Sequence, residues 1–76
     1  MIAILVPDLG DGITKVEVAS WHKREGEAVV KDDDLVELVT DKASFNIPAP
    51  VSGILRKIHY PAGGEAVVGS LLGEIA

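Results

Sequence analysis

A chain of 76 residues makes one domain at most, and a core of that size supplies only about 3–5 kcal/mol of net stability, leaving little material for a deep catalytic cleft. Apolar residues make up 47% of it, yet Trp21, Phe45 and Tyr60 are its only aromatics, so the core must be built from Val, Ile, Leu and Ala, a composition that favours a compact β fold over a disordered tail. A net charge of −5 with no Lys/Arg cluster excludes a nucleic-acid or anionic-membrane partner, and the lack of cysteine excludes a disulfide framework, a thiolate nucleophile and Cys-type zinc sites.

The first segment, Met1 to Val6, is apolar but stops at Pro7-Asp8. It has no basic flank and falls far short of the roughly 20 residues that a membrane span needs, so a soluble, cytoplasmic chain is expected. Beyond it, short apolar runs alternate with Gly, Pro and Asp, and no stretch sustains a capped helical stripe over three turns. The runs predict strands at Ala3–Val6, Ile13–Trp21, Glu27–Val29, Leu35–Val39, Ser44–Ile47, Gly53–His59, Glu65–Val67 and Leu71–Ile75. Strands of this length and spacing predict an all-β sandwich or flattened barrel, whose closure would remove exposed sheet edges.

The chain also repeats itself. Gly26-Glu27-Ala28-Val29-Val30 recurs as Gly64-Glu65-Ala66-Val67-Val68, followed by apolar segments ending in Glu37-Leu38 and Glu74-Ile75 and preceded by Gly12-Ile13 and Gly53-Ile54. Each half is too small to bury a core alone, so the two halves, with four strands each, must pack against one another.

Between the repeats lies Thr40-Asp41-Lys42-Ala43, with an apolar run on either side. This junction predicts a hairpin, and because it lacks Gly a type I turn is expected in preference to the primed types that need positive φ. Lys42 then projects into solvent. An exposed lysine in a turn is most often a solubility residue. Its place at the pseudo-symmetric middle of the chain, on a short turn held by strands on both sides, suits it to covalent modification, because a fixed lysine is recognised at low ordering cost.

At this point the chain resembles the lipoyl domains of 2-oxo acid dehydrogenase complexes, within the biotinyl/lipoyl attachment domains, over essentially its whole length. Pro7-Asp8-Leu9-Gly10-Asp11-Gly12-Ile13 is similar to that family's opening motif, Trp21 to Glu27 to its Trp-x-Val-Lys-x-Gly-Asp segment, and Asp32-Asp33 through Glu37 to its acidic turn and following strand. Thr40-Asp41-Lys42-Ala43 resembles its attachment core, with Ile47-Pro48-Ala49-Pro50, Gly53-Ile54 and Val68-Gly69 at the expected spacing. Val39 departs from a common Glu and Ala49 from a common Ser; neither change removes a group that attachment needs.

The resemblance implies two four-stranded sheets with a quasi-two-fold repeat and lipoic acid in amide linkage to Lys42. It further implies a swinging arm: a thiamine-diphosphate 2-oxo acid decarboxylase reductively acylates the group, the acyltransferase core passes the acyl group to coenzyme A, and dihydrolipoamide dehydrogenase reoxidises the arm. The domain would be a monomeric carrier, not a catalyst, and the N-terminal part of a longer multidomain acyltransferase. Thr40, Asp41 and Ala43 would help a lipoate-attaching enzyme and partners recognise the lysine, and the loop Asp8, Leu9, Gly10, Asp11, Gly12 would lie near it. Read as plain residues, Asp41 favours a turn, Ala43 fits one, and the loop needs its glycines for conformation.

Other signals carry less. His22 and His59 fall at matching points of the repeats but have no third ligand. Asp32-Asp33-Asp34 lacks the ligand spacing of a calcium loop, Gly10-Asp11-Gly12 lacks the setting of a dinucleotide fingerprint, and Gly63-Gly64 reads as a tight turn. Ser20, Ser44, Ser52 and Ser70 have no nucleophile-elbow context. Two other readings remain: a biotinyl carrier domain, against which Asp41 and Ala43 stand where that family has Met on either side of the lysine, and an unmodified β interaction module.

Overall fold

The computed structural model describes residues 1–10 and 12–76. Its strands are β1 (Ile2–Leu5), β2 (Lys15–Trp21), β3 (Ala28–Val29), β4 (Asp34–Val39), β5 (Ser44–Pro48), β6 (Gly53–Ile58), β7 (Glu65–Val67) and β8 (Leu71–Ile75). Every expected strand is present, with ends shifted by at most two residues. Alternation explains β2 directly: Val16 and Val18 are buried while Lys15, Glu17 and Ala19 face solvent.

Two antiparallel sheets form, in the orders β1-β8-β6-β3 and β5-β4-β2-β7. Each draws two strands from either half of the chain, so neither half can fold by itself. Replacing each of β1 to β4 by the strand four later, and the reverse, converts one order into the other, which is the quasi-two-fold. Small features obey it too. The register shift between Val18 and Ser20 in the β2–β4 pairing has its mate between Leu55 and Lys57 in the β6–β8 pairing.

The structure corrects the alignment of the halves. Gly26 and Gly63 are the equivalent glycines: both have positive φ, 89° and 92°, and their N–H groups donate to the carbonyls of Leu55 and Val18, 2.7 and 2.8 Å. The identical pentapeptides are therefore one residue out of step. Val29 is buried while Val67 is exposed, and Ala66 takes the buried place. Gly12 and Gly53 are not equivalent either, since Gly12 sits in a loop with φ 71° and Gly53 begins β6.

Of the two expected forms, sandwich and flattened barrel, the sandwich is the one present, without barrel closure among the described residues. Among the described residues no ladder joins the two sheets, and of the outer strands β3 and β7 are only 2 and 3 residues long while β1 and β5 have 4 and 5, so one edge of each sheet is blunted by shortness. Between the sheets lies a core without aromatics: Ile4, Val6, Val16, Val18, Val29, Leu35, Val36, Leu38, Ala49, Leu55, Ala66, Leu72 and Ile75. Many of these are symmetry mates, such as Val18 with Leu55 and Leu35 with Leu72. Ile2 pairs with Ile75, and Ala76 bonds Ile54 in both directions, so the two chain ends lie side by side at the start of β6. No helix is long and apolar enough to cross a membrane among the described residues.

Candidate functional site

Strands β4 and β5 pair from Asp34↔Pro48 up to Val39↔Ser44, and residues 40–43 close them. No residue of this turn has positive φ, in keeping with the unprimed geometry expected from a Gly-free sequence. The closing bonds differ from those of an ordinary turn. Thr40 N–H donates to the Ala43 carbonyl at 2.8 Å, but the Ala43 N–H goes to the Thr40 hydroxyl, 3.1 Å, as does the Lys42 N–H, 3.2 Å. The hydroxyl in turn donates to the Ala43 carbonyl, 3.2 Å. Asp41, Lys42 and Ala43 are exposed and Thr40 is half-buried. Among the described residues, the Lys42 ammonium makes no ion pair within 4 Å.

The second sequence motif approaches this hairpin from β2. Asp8 accepts the Gly10 N–H, 2.9 Å, and the Ile13 N–H donates to the Gly10 carbonyl, 2.9 Å. Gly10 and Gly12 have φ 74° and 71°, which residues with side chains rarely adopt. Leu9 and Ile13 tuck against the core and anchor the loop. Asp11 lies outside the described residues. The end of the loop, Gly12 to Lys15, and Thr40 to Lys42 together line an open depression of about 290 Å³. Asp8 and Leu9 do not line it.

A second depression, about 420 Å³, shares Lys15, Thr40 and Asp41 with the first and adds Glu17, Val39 and Glu65. Lys15 and Glu65 pair across it at 3.9 Å. Neither residue stands out in the sequence, because the β2–β4 pairing brings Lys15 beside the hairpin and the β2–β7 pairing adds Glu65. Another open groove, about 680 Å³, is at the far end of β2, around Trp21, whose indole N–H donates to the Tyr60 carbonyl at 2.8 Å.

The remaining candidates are absorbed by local structure. His22 bonds Asn46, 3.0 Å, and His59 bonds Glu74, 2.9 Å, so the matched histidines do not share a site. Asp32 has φ 76°, and Asp33 accepts the Val30 N–H and pairs with Lys23 at 3.8 Å, making the acidic run a turn. Gly64 N–H donates to the Pro61 carbonyl, 3.0 Å, closing the expected Gly-Gly turn. Ser52 and Ser70 accept from the Lys31 and Val67 N–H groups.

Comparison with known proteins agrees with this geometry. A family model described as "Biotin-requiring enzyme", of the biotin and lipoyl attachment domains, matches residues 2–75. The lipoyl domain of the 2-oxoglutarate dehydrogenase complex from Azotobacter vinelandii superposes with a TM-score of 0.82 at 34% identity, covering 100% of this chain and 96% of that one. The lipoyl domain of the Escherichia coli dihydrolipoyl succinyltransferase gives 0.77 at 40% identity, covering 97% and 92%. The dihydrolipoyllysine-residue succinyltransferase component of 2-oxoglutarate dehydrogenase complex of Rickettsia conorii is 38% identical over 74 residues, 97% of this chain but 19% of that protein. The chain thus spans about a fifth of the length of the curated relatives it matches.

Two packed four-stranded sheets with this motif set define an attachment domain that carries a prosthetic group for other enzymes. The chain belongs to the biotin/lipoyl attachment family and, within it, is a lipoyl domain. Its function is that of a lipoyl-lysine carrier domain.

Proposed function

We propose that Lys42 is the lysine to which lipoic acid is attached, and that the chain is the carrier segment of a longer 2-oxo acid dehydrogenase acyltransferase. The observation that carries the reading is the hairpin: an exposed ammonium, without an ion pair among the described residues, on a turn whose two sides are held by the β4–β5 ladder up to Val39↔Ser44. The site fits the group, since the exposed Lys42 side chain leaves Nζ open to a docking enzyme. Attachment needs the deprotonated amine. Its nitrogen bonds to the carbonyl carbon of a lipoyl group activated by ATP, the activating group departs with its electron pair, and the amine proton goes to solvent.

Once joined to Lys42, the dithiolane supplies combined redox and acyl-carrying chemistry. The chain's own residues hold the attachment point rigid and present it. Its partners on this reading are a lipoate-attaching enzyme, a 2-oxo acid decarboxylase, the acyltransferase core and dihydrolipoamide dehydrogenase. Tethering to the parent chain would hold the arm at high effective concentration at each of them. The names of the relatives favour 2-oxoglutarate as the acid served.

Intact mass and peptide mapping after incubation with lipoate ligase, lipoate and ATP test the assignment, beside a biotin ligase control and Lys42→Ala. A lipoyl increment confined to Lys42 supports it. Biotin at that position moves the chain to the biotin-dependent carboxylases, and no modification by either ligase leaves an interaction module.

A further inference from the structure

We propose that Thr40 is the positioning residue for Lys42, holding the attachment lysine in the geometry at which its amine is acylated. This rests on Lys42 being the attachment residue. A four-residue turn ordinarily closes when the fourth N–H donates to the first carbonyl. Here that N–H, on Ala43, is taken by the Thr40 hydroxyl at 3.1 Å, and the same oxygen accepts the Lys42 N–H at 3.2 Å while donating to the Ala43 carbonyl. A hydroxyl has one donor and two acceptor sites, so Thr40 spends its whole capacity on these two residues.

Apart from the backbone bond from the Thr40 N–H to the Ala43 carbonyl, 2.8 Å, nothing else described holds the tip. Asp41, Lys42 and Ala43 are exposed, and residues 40–43 contain neither Gly nor Pro. Among the described residues, the Asp41 carboxylate accepts no hydrogen bond that would organise the turn, so it is left facing the depressions and any docking enzyme. Thr40 itself is half-buried and β-branched, which stiffens χ1. The Lys42 N–H is therefore referred to the sheet through one hydroxyl. Because the freed N–H groups would be open to water, losing that hydroxyl perturbs geometry far more than stability.

The test compares Thr40→Val, which keeps the shape and removes the hydroxyl, with Thr40→Ser, which keeps the hydroxyl, and with the unaltered chain. Expected is a fall of about tenfold in the kcat of lipoate ligase for Thr40→Val with little change in KM, as for a misplaced nucleophile. Thr40→Ser restores most of the rate. Amide exchange at Lys42 and Ala43 accelerates in Thr40→Val only, while acylation of Lys42 by a small activated ester proceeds equally in all three. A normal kcat for Thr40→Val, an equal loss in Thr40→Ser, or unchanged amide exchange would overturn the positioning role while leaving Lys42 as the attachment residue. Failure of the unaltered chain to take up lipoate at Lys42 would overturn both.

Discussion

Gly73 leaves the space that the Trp21 ring occupies. A Cβ on Gly73 would stand 3.2 Å from Cη2 of Trp21 and 2.6 Å from the Lys57 carbonyl oxygen. The equivalent of Gly73 in the other half is Val36, which is fully buried, and the equivalent of Trp21 is the smaller Ile58. One half thus combines a large residue with a bare backbone and the other combines two of medium size, which keeps both at interior packing density.

From that contact, Gly73→Ala is expected to destabilise the domain by about 1–3 kcal/mol, because a backbone carbonyl must move as well as a ring. Urea denaturation followed by Trp21 fluorescence measures it. A midpoint equal to that of the unaltered chain would mean the ring does not need the gap.

A second prediction separates conformation from space. Gly69 has φ 90°, and a Cβ there would meet nothing within 4 Å, while its mate Asp32 adopts φ 76°. Both N–H groups donate to a neighbouring segment, to the carbonyls of Val6 and Ala49, at 2.9 Å. Gly69→Ala should cost about 1–2 kcal/mol through backbone strain alone. Gly69→Asn should cost clearly less, since Asn tolerates the left-handed region. Thermal midpoints would shift by about 4–8 °C for each kcal/mol in a domain of this size, and equal losses for the two variants would contradict the prediction.

Symmetry also predicts that the chain ends can be joined. Ala76 is the mate of Val39 and Met1 of Ser44, so a Thr-Asp-Lys-Ala bridge from Ala76 to Met1 would copy the turn at residues 40–43. A backbone-cyclised chain with that bridge is expected to keep the fold and to melt higher, because the unfolded chain loses freedom. Circular dichroism and chemical denaturation decide it; loss of the β signal would show that the ends are not hairpin-equivalent.

At the proposed attachment position, Lys42→Arg should leave stability within about 0.5 kcal/mol of the unaltered chain, since the side chain is exposed and supports no described contact. It should abolish the lipoyl increment, because a guanidinium stays protonated and is not acylated. Mass spectrometry and denaturation on the same sample check both halves. A large drop in stability would assign Lys42 a structural part.

The strands, the all-aliphatic core, the internal repeat and the hairpin lysine were legible in the sequence. Each is written in local spacing: alternation across β2, Gly and Pro between runs, and a polar quartet at the midpoint. The residue-for-residue pentapeptide match misled on register, because identity of residues is not identity of position. What matters is where the left-handed glycine falls, and Gly26 corresponds to Gly63, not to Gly64. Of the sandwich and flattened barrel that the strand pattern allowed, the sandwich formed, a choice made by which strands pair and not by any local pattern.

Sequence alone determined which segments extend, which faces are apolar and which lysine stands at the centre of the chain, because these depend on neighbours within a few residues. Tertiary structure decided what surrounds that lysine. Lys15 reaches the hairpin through pairing of β2 with β4 and Glu65 through the further pairing of β2 with β7, Gly73 must be bare because the Lys57 carbonyl and the Trp21 ring both crowd it, and Thr40 became the closure of the turn only when the strands on either side set its hydroxyl among the Lys42 and Ala43 amides. Contacts between distant residues depend on how two sheets are shared by two halves of a chain, and no local pattern encodes them.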